Sequence, residues 1–440
     1  MNIFSRVLGR KTEFALLIAA TVIIAVVMLN LYLAQGIELN ADIGWVIGGF
    51  IGVFTIAHLI LCFLAPQADQ IMLPVAALVN GLGLAMIHRL DLADDTHLVA
   101  RQVMWMVVGI ALMLAVLVFL RDHRSLQRYS FVLGAIGLFL LAMPLWWPFK
   151  PAIADAKIWV SIGGISLQPG EFSKILLLLF FAQLLVTKRT LFNLAGRRFL
   201  GLEFPRLRDL APILGVWGIA ILIMAGENDF GPALLLFSTV LGMLYLSTNR
   251  VSWLLIGVIL VGVGGTAVYH LSSKIQDRFS NFLDPVGNYD STGYQLSQAL
   301  FGMSSGGVTG SGFGQGFPYI VPVAESDFIL AAIGEELGLI GLAAILILFT
   351  IFISRGMNTA LKAKDAYGKL LASGLSLTLA VQIFVVTAGI SALMPMTGLT
   401  TPFMSQGGSS LMANYILLGI ILRISDASRA GSMAQQAVKR

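Results

Sequence analysis

Twelve apolar runs, most of them long enough to cross a bilayer as a helix, recur along the chain with short gaps between them. They lie near 12–34, 43–64, 71–88, 103–120, 129–148, 171–187, 211–226, 231–246, 251–271, 326–354, 370–390 and 409–424. Crossing a hydrocarbon core of roughly 30 Å takes about 20 helical residues. Composition agrees: of 440 residues 57% are hydrophobic and 12% charged, about half the charged share of a soluble domain. The expectation is an all-α polytopic membrane protein of about twelve transmembrane helices.

The basic residues predict its orientation. With the N-terminus in the cytoplasm, that side receives 21 of the 28 Lys and Arg. The outer side keeps seven: Arg89, Arg101, Lys150, Lys157, Lys174, Lys274 and Arg278. This is the positive-inside bias, and it places both termini in the cytoplasm. The net charge of +5 is spread over cytoplasmic loops rather than gathered with aromatics into a groove. That distribution anchors topology on anionic membrane lipid and argues against nucleic acid as a partner. The run after MNIFSRVLGRK is too long for a signal sequence and is expected to stay as the first helix. A lone cysteine, Cys62, makes no intrachain disulfide, and no CxxC or HExxH spacing suggests a metal site.

Two outer loops are long enough to carry function, 149–170 and about 272–325. The second has aromatic and apolar residues throughout, which argues against disorder. Within it residues 302–316 hold seven glycines, including Gly306 and Gly307. Such a run either offers amides to an anion such as phosphate or serves turns that need positive φ.

Just beyond, AESDFILAAIGEELGLIG places four carboxylates in a greasy stretch. Asp327 is expected in the first turn of the tenth span at the water interface, where it either caps the helix or serves chemistry. Glu335 and Glu336 fall about 12 Å deeper. An ionised group there costs about 2.5–3.5 kcal/mol, so each must face a partner, a helix interface or a watery cavity. QPGEFSK opens the sixth span with Glu171 and Lys174 on one helical face. They form either a local ion pair or a cationic contact for an anionic substrate.

Four blocks together resemble the SEDS family, that of RodA, FtsW and SpoVE, over approximately residues 71–425. KIWVSIGGISLQPGEFSK is similar to the family's arginine-tryptophan and Q-P-S-E-F-x-K stretch at Trp159, Gln168, Pro169, Glu171 and Lys174, departing at Ile158 and Gly170. ENDFGPALL matches Q-P-D-L-G-T-A-L at Asp229, Gly231, Ala233 and Leu234. The third block joins FLDP, GYQLSQAL, SGGVTGSGFGQG and the stretch around Asp327. The fourth is MPMTGLTTPFMSQGGSSLMANY, with Ser405 among its matches. The family usually has ten spans, so residues 1–70 are expected to be an added helix pair, 71–425 the core, and 426–440 a cytoplasmic tail.

The resemblance implies a peptidoglycan glycosyltransferase that polymerises lipid II outside the bacterial cytoplasmic membrane, for cell elongation or division, beside a class B penicillin-binding transpeptidase. It implies Asp327 as the catalytic residue, aligned with the aspartate of the family's H-T-D-F-I-F; Glu325 and Ser326 replace the two residues before it. Lys157, Trp159, Gln168, Glu171, Lys174, Arg278, Gln295, Gly306, Gly307 and Ser405 are candidate substrate contacts. A divalent cation held by Asp327 or another outer carboxylate is the alternative source of positive charge. Two rival readings are a flippase for the same lipid, which would use Glu335 and Glu336, and a noncatalytic cell-wall scaffold.

Overall fold

The computed structural model describes residues 9–38, 41–94, 97–148, 157–193, 198–199, 202–203 and 207–438. Residues 149–156 of the first long loop, and Arg6, Lys150, Arg197, Arg206, Lys439 and Arg440 of the basic set, lie outside them. Twelve helices correspond to the twelve apolar runs, but only ten of them are long and apolar enough to cross a membrane among the described residues. The other two, at Ser130–Trp146 and Leu214–Gly226, are shorter apolar helices.

The chain divides into two compact units. The first comprises Met1–Arg121, Asp277–Arg355 and Gln382–Arg440. It contains α1 (Lys11–Gln35), α2 (Ala41–Leu64), α3 (Met72–Asp94) and α4 (Leu98–Phe119). The second comprises Asp122–Gln276 and Gly356–Val381. It contains α5 (Arg124–Arg128), α6 (Ser130–Trp146), α7 (Pro169–Asn193), α8 (Leu207–Gly226), α9 (Phe230–Thr248) and α10 (Ser252–Leu271). Then come α11 (Ser273–Leu283), α12 (Tyr294–Gly306), α13 (Ile329–Lys362), α14 (Ala366–Ile390) and α15 (Gly408–Val438).

In the first unit α3 and α15 are the inner helices, with 83% and 89% of their spanning windows buried, against 28% for α1. Helices in lipid gain little from apolar burial alone and associate through close backbone approach at small residues. Accordingly a Cβ at Gly408 would meet the Trp105 ring at 2.5 Å, and one at Gly419 would meet the Met113 carbonyl at 3.0 Å, joining α15 to α4. One end of this unit is fastened by charge. Asp69 takes Arg355 at 2.6 Å and Arg429 at 2.5 Å. Burial alone would raise the Asp69 carboxyl, but its bonds from Arg355 and the Ile71 amide, with Arg429 adding to them, hold it below the ordinary carboxylate value.

The second unit uses the same device: Gly134 of α6 lies against Phe180 of α7, and Ser173 Oγ donates to the Gly137 carbonyl at 2.7 Å. Ahead of α7 the loop anticipated at 149–170 contains a small hairpin, β1 (Val160–Ile162) against β2 (Ile165–Leu167). Gly163 and Gly164, both at positive φ, make its two-residue turn, as the right-handed twist of paired strands requires. Trp147 Nε1 donates to the Ser161 carbonyl at 3.1 Å. A second two-residue pairing joins β3 (Arg198–Phe199) and β4 (Leu202–Glu203).

Candidate active site

Asp327 lies two residues before α13 rather than in its first turn. Tertiary bonds account for the shift. Ser405 Oγ donates to the Ser326 carbonyl at 2.6 Å, and the Gln406 amide to the Glu325 carbonyl at 2.8 Å. These carbonyls are therefore bound to the 394–407 loop and do not join the helical ladder, which opens with the Ala332 amide on the Phe328 carbonyl. Ser326 Oγ donates to Asp327 Oδ1 at 3.0 Å, and Gln295 Nε2 donates to the Pro322 carbonyl at 2.7 Å upstream. Ser405 is buried and Gln295 half-buried, and each bonds the Asp327 turn.

Across from that turn, Arg278 of α11 donates from Nη1 to the Thr397 carbonyl at 3.1 Å. Gly398, at φ +73°, sits between the two charged groups. A Cβ there would lie 3.1 Å from Arg278 Nη2 and 3.6 Å from Asp327 Oδ2. The sequence candidates Asp327, Arg278, Gln295 and Ser405 are thus brought to one place in the first unit, with Thr397 and Gly398 added by the fold. Buried amides keep the 394–407 loop in shape. Asn80 Nδ2 bonds the Phe403 carbonyl at 2.7 Å, Gln102 Nε2 the Ser405 carbonyl at 3.1 Å, and Gln382 Nε2 the Thr400 carbonyl at 2.7 Å.

The electrostatics of this end are acidic beside the Arg278 cation. Burial first, and then the Asp94, Asp327 and Asp91 charges, raises the Glu325 carboxyl above its ordinary value. Asp91 accepts from the Leu98 and Val99 amides at 3.0 and 2.7 Å, capping α4 from the preceding helix. Among the described residues no group of three His, Cys, Asp or Glu could hold a metal ion.

The glycine-rich segment uses its amides internally. Gly307 donates to Met303, Ser311 to the Glu335 carbonyl and Gly312 to the Glu336 carbonyl. Gly314 donates to Glu336 Oε2 at 2.9 Å, and Phe317 to Glu335 Oε1 at 2.6 Å. This is the turn reading of the glycines, and the carboxylates that the amides receive come from the protein itself. A Cβ at Gly306 would strike the Glu335 carbonyl at 2.4 Å, and one at Gly310 the Glu336 carbonyl at 2.2 Å. In return α13 breaks at Gly338 (φ 67°, ψ −171°), where Leu339 and Ile340 donate to Gly307 and Val308. Glu335 and Glu336 therefore end a half-helix whose side chains hold the loop. Arg89, assigned by sequence to the outer basic set, is buried and donates to Glu336 Oε1 at 3.0 Å and to the Gly316 carbonyl at 2.8 Å.

The remaining sequence candidates form a set in the second unit. The hairpin delivers Gln168 to the start of α7, where Lys174 Nζ pairs with Glu171 Oε2 at 2.8 Å. The Lys157 amide donates to the Glu227 carbonyl at 3.2 Å, and Trp159 is half-buried beside β1. A small cavity is walled by Leu141, Ile158, Met224 and Pro232 and receives the polar residues Gln168, Glu171, Glu227 and Asp229. Glu227 reaches it because α8 ends in a Schellman-type turn: Asn228 takes φ +60°, Asn228 N–H bonds Ala225, and Asp229 N–H bonds Met224. Burial first, then the neighbouring Asp229 charge, pushes the Glu227 carboxyl up to about 8. Glu227 opens the stretch ENDFGPALL, whose family match assigns it no role; its signal in the sequence is an acid two residues from another beside a helix end.

The model of the cell cycle protein family FtsW/RodA/SpoVE matches residues 69–430. The chain belongs to this family. The peptidoglycan glycosyltransferase RodA of Mycobacterium tuberculosis is 48% identical over 427 residues, covering 96% of this chain and 91% of that one. The stage V sporulation protein E of Bacillus subtilis is 30% identical over 372 residues, covering 82% and 98%. Two solved structures share the fold at 24% identity: a chain of a peptidoglycan synthase complex (TM-score 0.66, covering 82% and 98%) and RodA of Thermus thermophilus (0.58, covering 82% and 97%). The FtsW/RodA/SpoVE match contains every candidate site residue and leaves α1 and α2 outside it.

Proposed function

We propose that this protein is a peptidoglycan glycosyltransferase of the cytoplasmic membrane that polymerises lipid II on the outer face, with Asp327 as general base. Chain growth joins a sugar hydroxyl of one lipid-linked unit to the anomeric carbon of another and releases a lipid pyrophosphate. The O–H proton must leave as the new C–O bond forms, and negative charge accumulates on the departing pyrophosphate. A carboxylate and a guanidinium that both reach Gly398 supply these needs: Asp327 takes the proton and Arg278 faces the leaving group. That juxtaposition is the observation that carries the reading. The 394–407 loop, held by Asn80, Gln102 and Gln382, fixes the geometry before substrate arrives.

Lys157, Trp159, Gln168, Glu171 and Lys174 are proposed as a second set of substrate contacts. Lys174 already answers Glu171, so its charge is shared between an internal partner and an anionic ligand. Glu335 and Glu336 are assigned to structure rather than transport, because Arg89 and the glycine-rich amides occupy their carboxylates. The 48% identity to a peptidoglycan glycosyltransferase RodA supports a RodA-like role in elongation over one in division, and a class B penicillin-binding transpeptidase is its expected partner. The test is incubation of the purified protein and its transpeptidase with lipid II. Glycan strands support the reading; lipid II crossing liposome membranes with no polymer would replace it with transport.

A further inference from the structure

Helices α1 and α2 lie outside the family match, yet α1 is tied into the core by polar side chains at both ends. At its start, Arg10 is fully buried, bonds the Ala65 and Ala68 carbonyls at 2.8 and 3.1 Å, and pairs with Glu13. Glu13 in turn receives His58 of α2 at 2.7 Å. At its far end, Gln35 donates to the Gly314 carbonyl, and Tyr32, also buried, bonds His88 at 3.0 Å. A Cβ on Gly314 would lie 3.1 Å from both Ala34 Cβ and Leu31 Cδ1, so α1 seats directly on that backbone. A helix serving only as a membrane anchor has no use for these contacts.

Gly314 is where the two networks meet. Its carbonyl is held by α1 and its amide by Glu336 Oε2. Glu336 and Arg89 close the circuit through the Gly316 carbonyl. Glu336 belongs to the short half-helix between Ile329 and the break at Gly338, and the turn bearing Asp327 leads directly into that half-helix.

We propose that α1 is a positioning element for the reaction, in which Gln35 holds the glycine-rich loop, and through it the register of the half-helix that follows Asp327, while Tyr32 fixes α1 to His88 of α3. The proposal rests on the assignment of Asp327 as base, and its experiment has an arm that does not. The variant Tyr32→Phe/Gln35→Met removes the hydroxyl and the amide donor at nearly constant volume; Gln35→Lys restores a donor of similar reach. Both are purified as full chains with the transpeptidase. Thermal midpoint, kcat and KM for lipid II, and amide hydrogen exchange across residues 306–317 are measured.

The expected result is a kcat lower on the order of 10-fold at unchanged KM. Exchange should rise in 306–317 and not in α3 or α15, the midpoint should stay within a few degrees, and Gln35→Lys should recover kcat. Wild-type kcat and exchange in the double variant would overturn the proposal, as would a loss that follows the folded fraction and is not rescued. If the wild type itself makes no polymer, the base assignment falls, and the exchange arm still decides whether α1 holds the loop.

Discussion

The turn before α13 and the turn before α9 each bring acids to a helix start, and the two are built for opposite uses. Around Asp327 the carboxylate is half-exposed, with a serine hydroxyl on one oxygen and Arg278 across Gly398 from the other. Around Glu227 the carboxyl is buried beside Leu141, Ile158, Met224 and Pro232 and next to a second acid, Asp229. The first arrangement suits accepting a proton during a reaction; the second keeps a proton at neutral pH. Charge partner and solvent access decide the role of an acid, and position along the helix does not.

The largest expected effect is at Asp327. Asp327→Asn removes the base while keeping the volume and the Ser326 contact. It should lower kcat by about 10²–10⁴-fold, the range for loss of a general base, with no change in thermal midpoint. A fall in the midpoint together with activity would instead make Asp327 structural. Next is Glu336→Gln, which leaves the Arg89 guanidinium buried with a neutral partner. It should destabilise the protein on the order of 3 kcal/mol, read as a lowered midpoint in detergent, before any effect on chemistry.

Ser405→Ala sharpens the same comparison at smaller scale. It frees the Ser326 carbonyl and the Thr401 amide, both of which bond Ser405 Oγ. A destabilisation of about 1–2 kcal/mol and a several-fold drop in kcat should follow. The smallest effect is at Glu227, and it should appear in pH dependence. Its carboxyl is raised from an ordinary 4.5 to about 8, so between these values the folded protein holds a proton that the unfolded chain releases. Stability therefore falls as pH rises from about 5 to 8 and levels off above. Glu227→Gln should flatten that slope in thermal melts while leaving the Asp327 chemistry in place; an unchanged slope would assign the titration to another group.

Much of this comparison was legible in the sequence, and the limits were physical. Apolar length announces helices because a bilayer demands it, so all twelve runs became helices, two of them shorter than a full span. Asp327 stands out through its family block, but its place ahead of the helix rather than in its first turn is invisible in the sequence. The bonds from Ser405 and Gln406 that stop the helix come from about 80 residues away. Glu335 and Glu336 were recognisably costly at their depth, while their partner Arg89 lies 247 residues from Glu336 in the chain. The glycines leave both anion cradle and turn open in the sequence, since composition cannot say which acceptors the amides meet. The alternation in VSIGGISL fits the GG turn between β1 and β2, but strands of three residues are too short to separate from loop by pattern alone.

The most direct measurement is glycan polymerisation from lipid II, in one assay with the transpeptidase, by wild type, Asp327→Asn and Glu227→Gln of matched thermal stability. The account predicts strands from wild type, strands at a similar rate from Glu227→Gln, and none above background from Asp327→Asn. Strands from Asp327→Asn and none from Glu227→Gln would contradict it and move the base to the second unit.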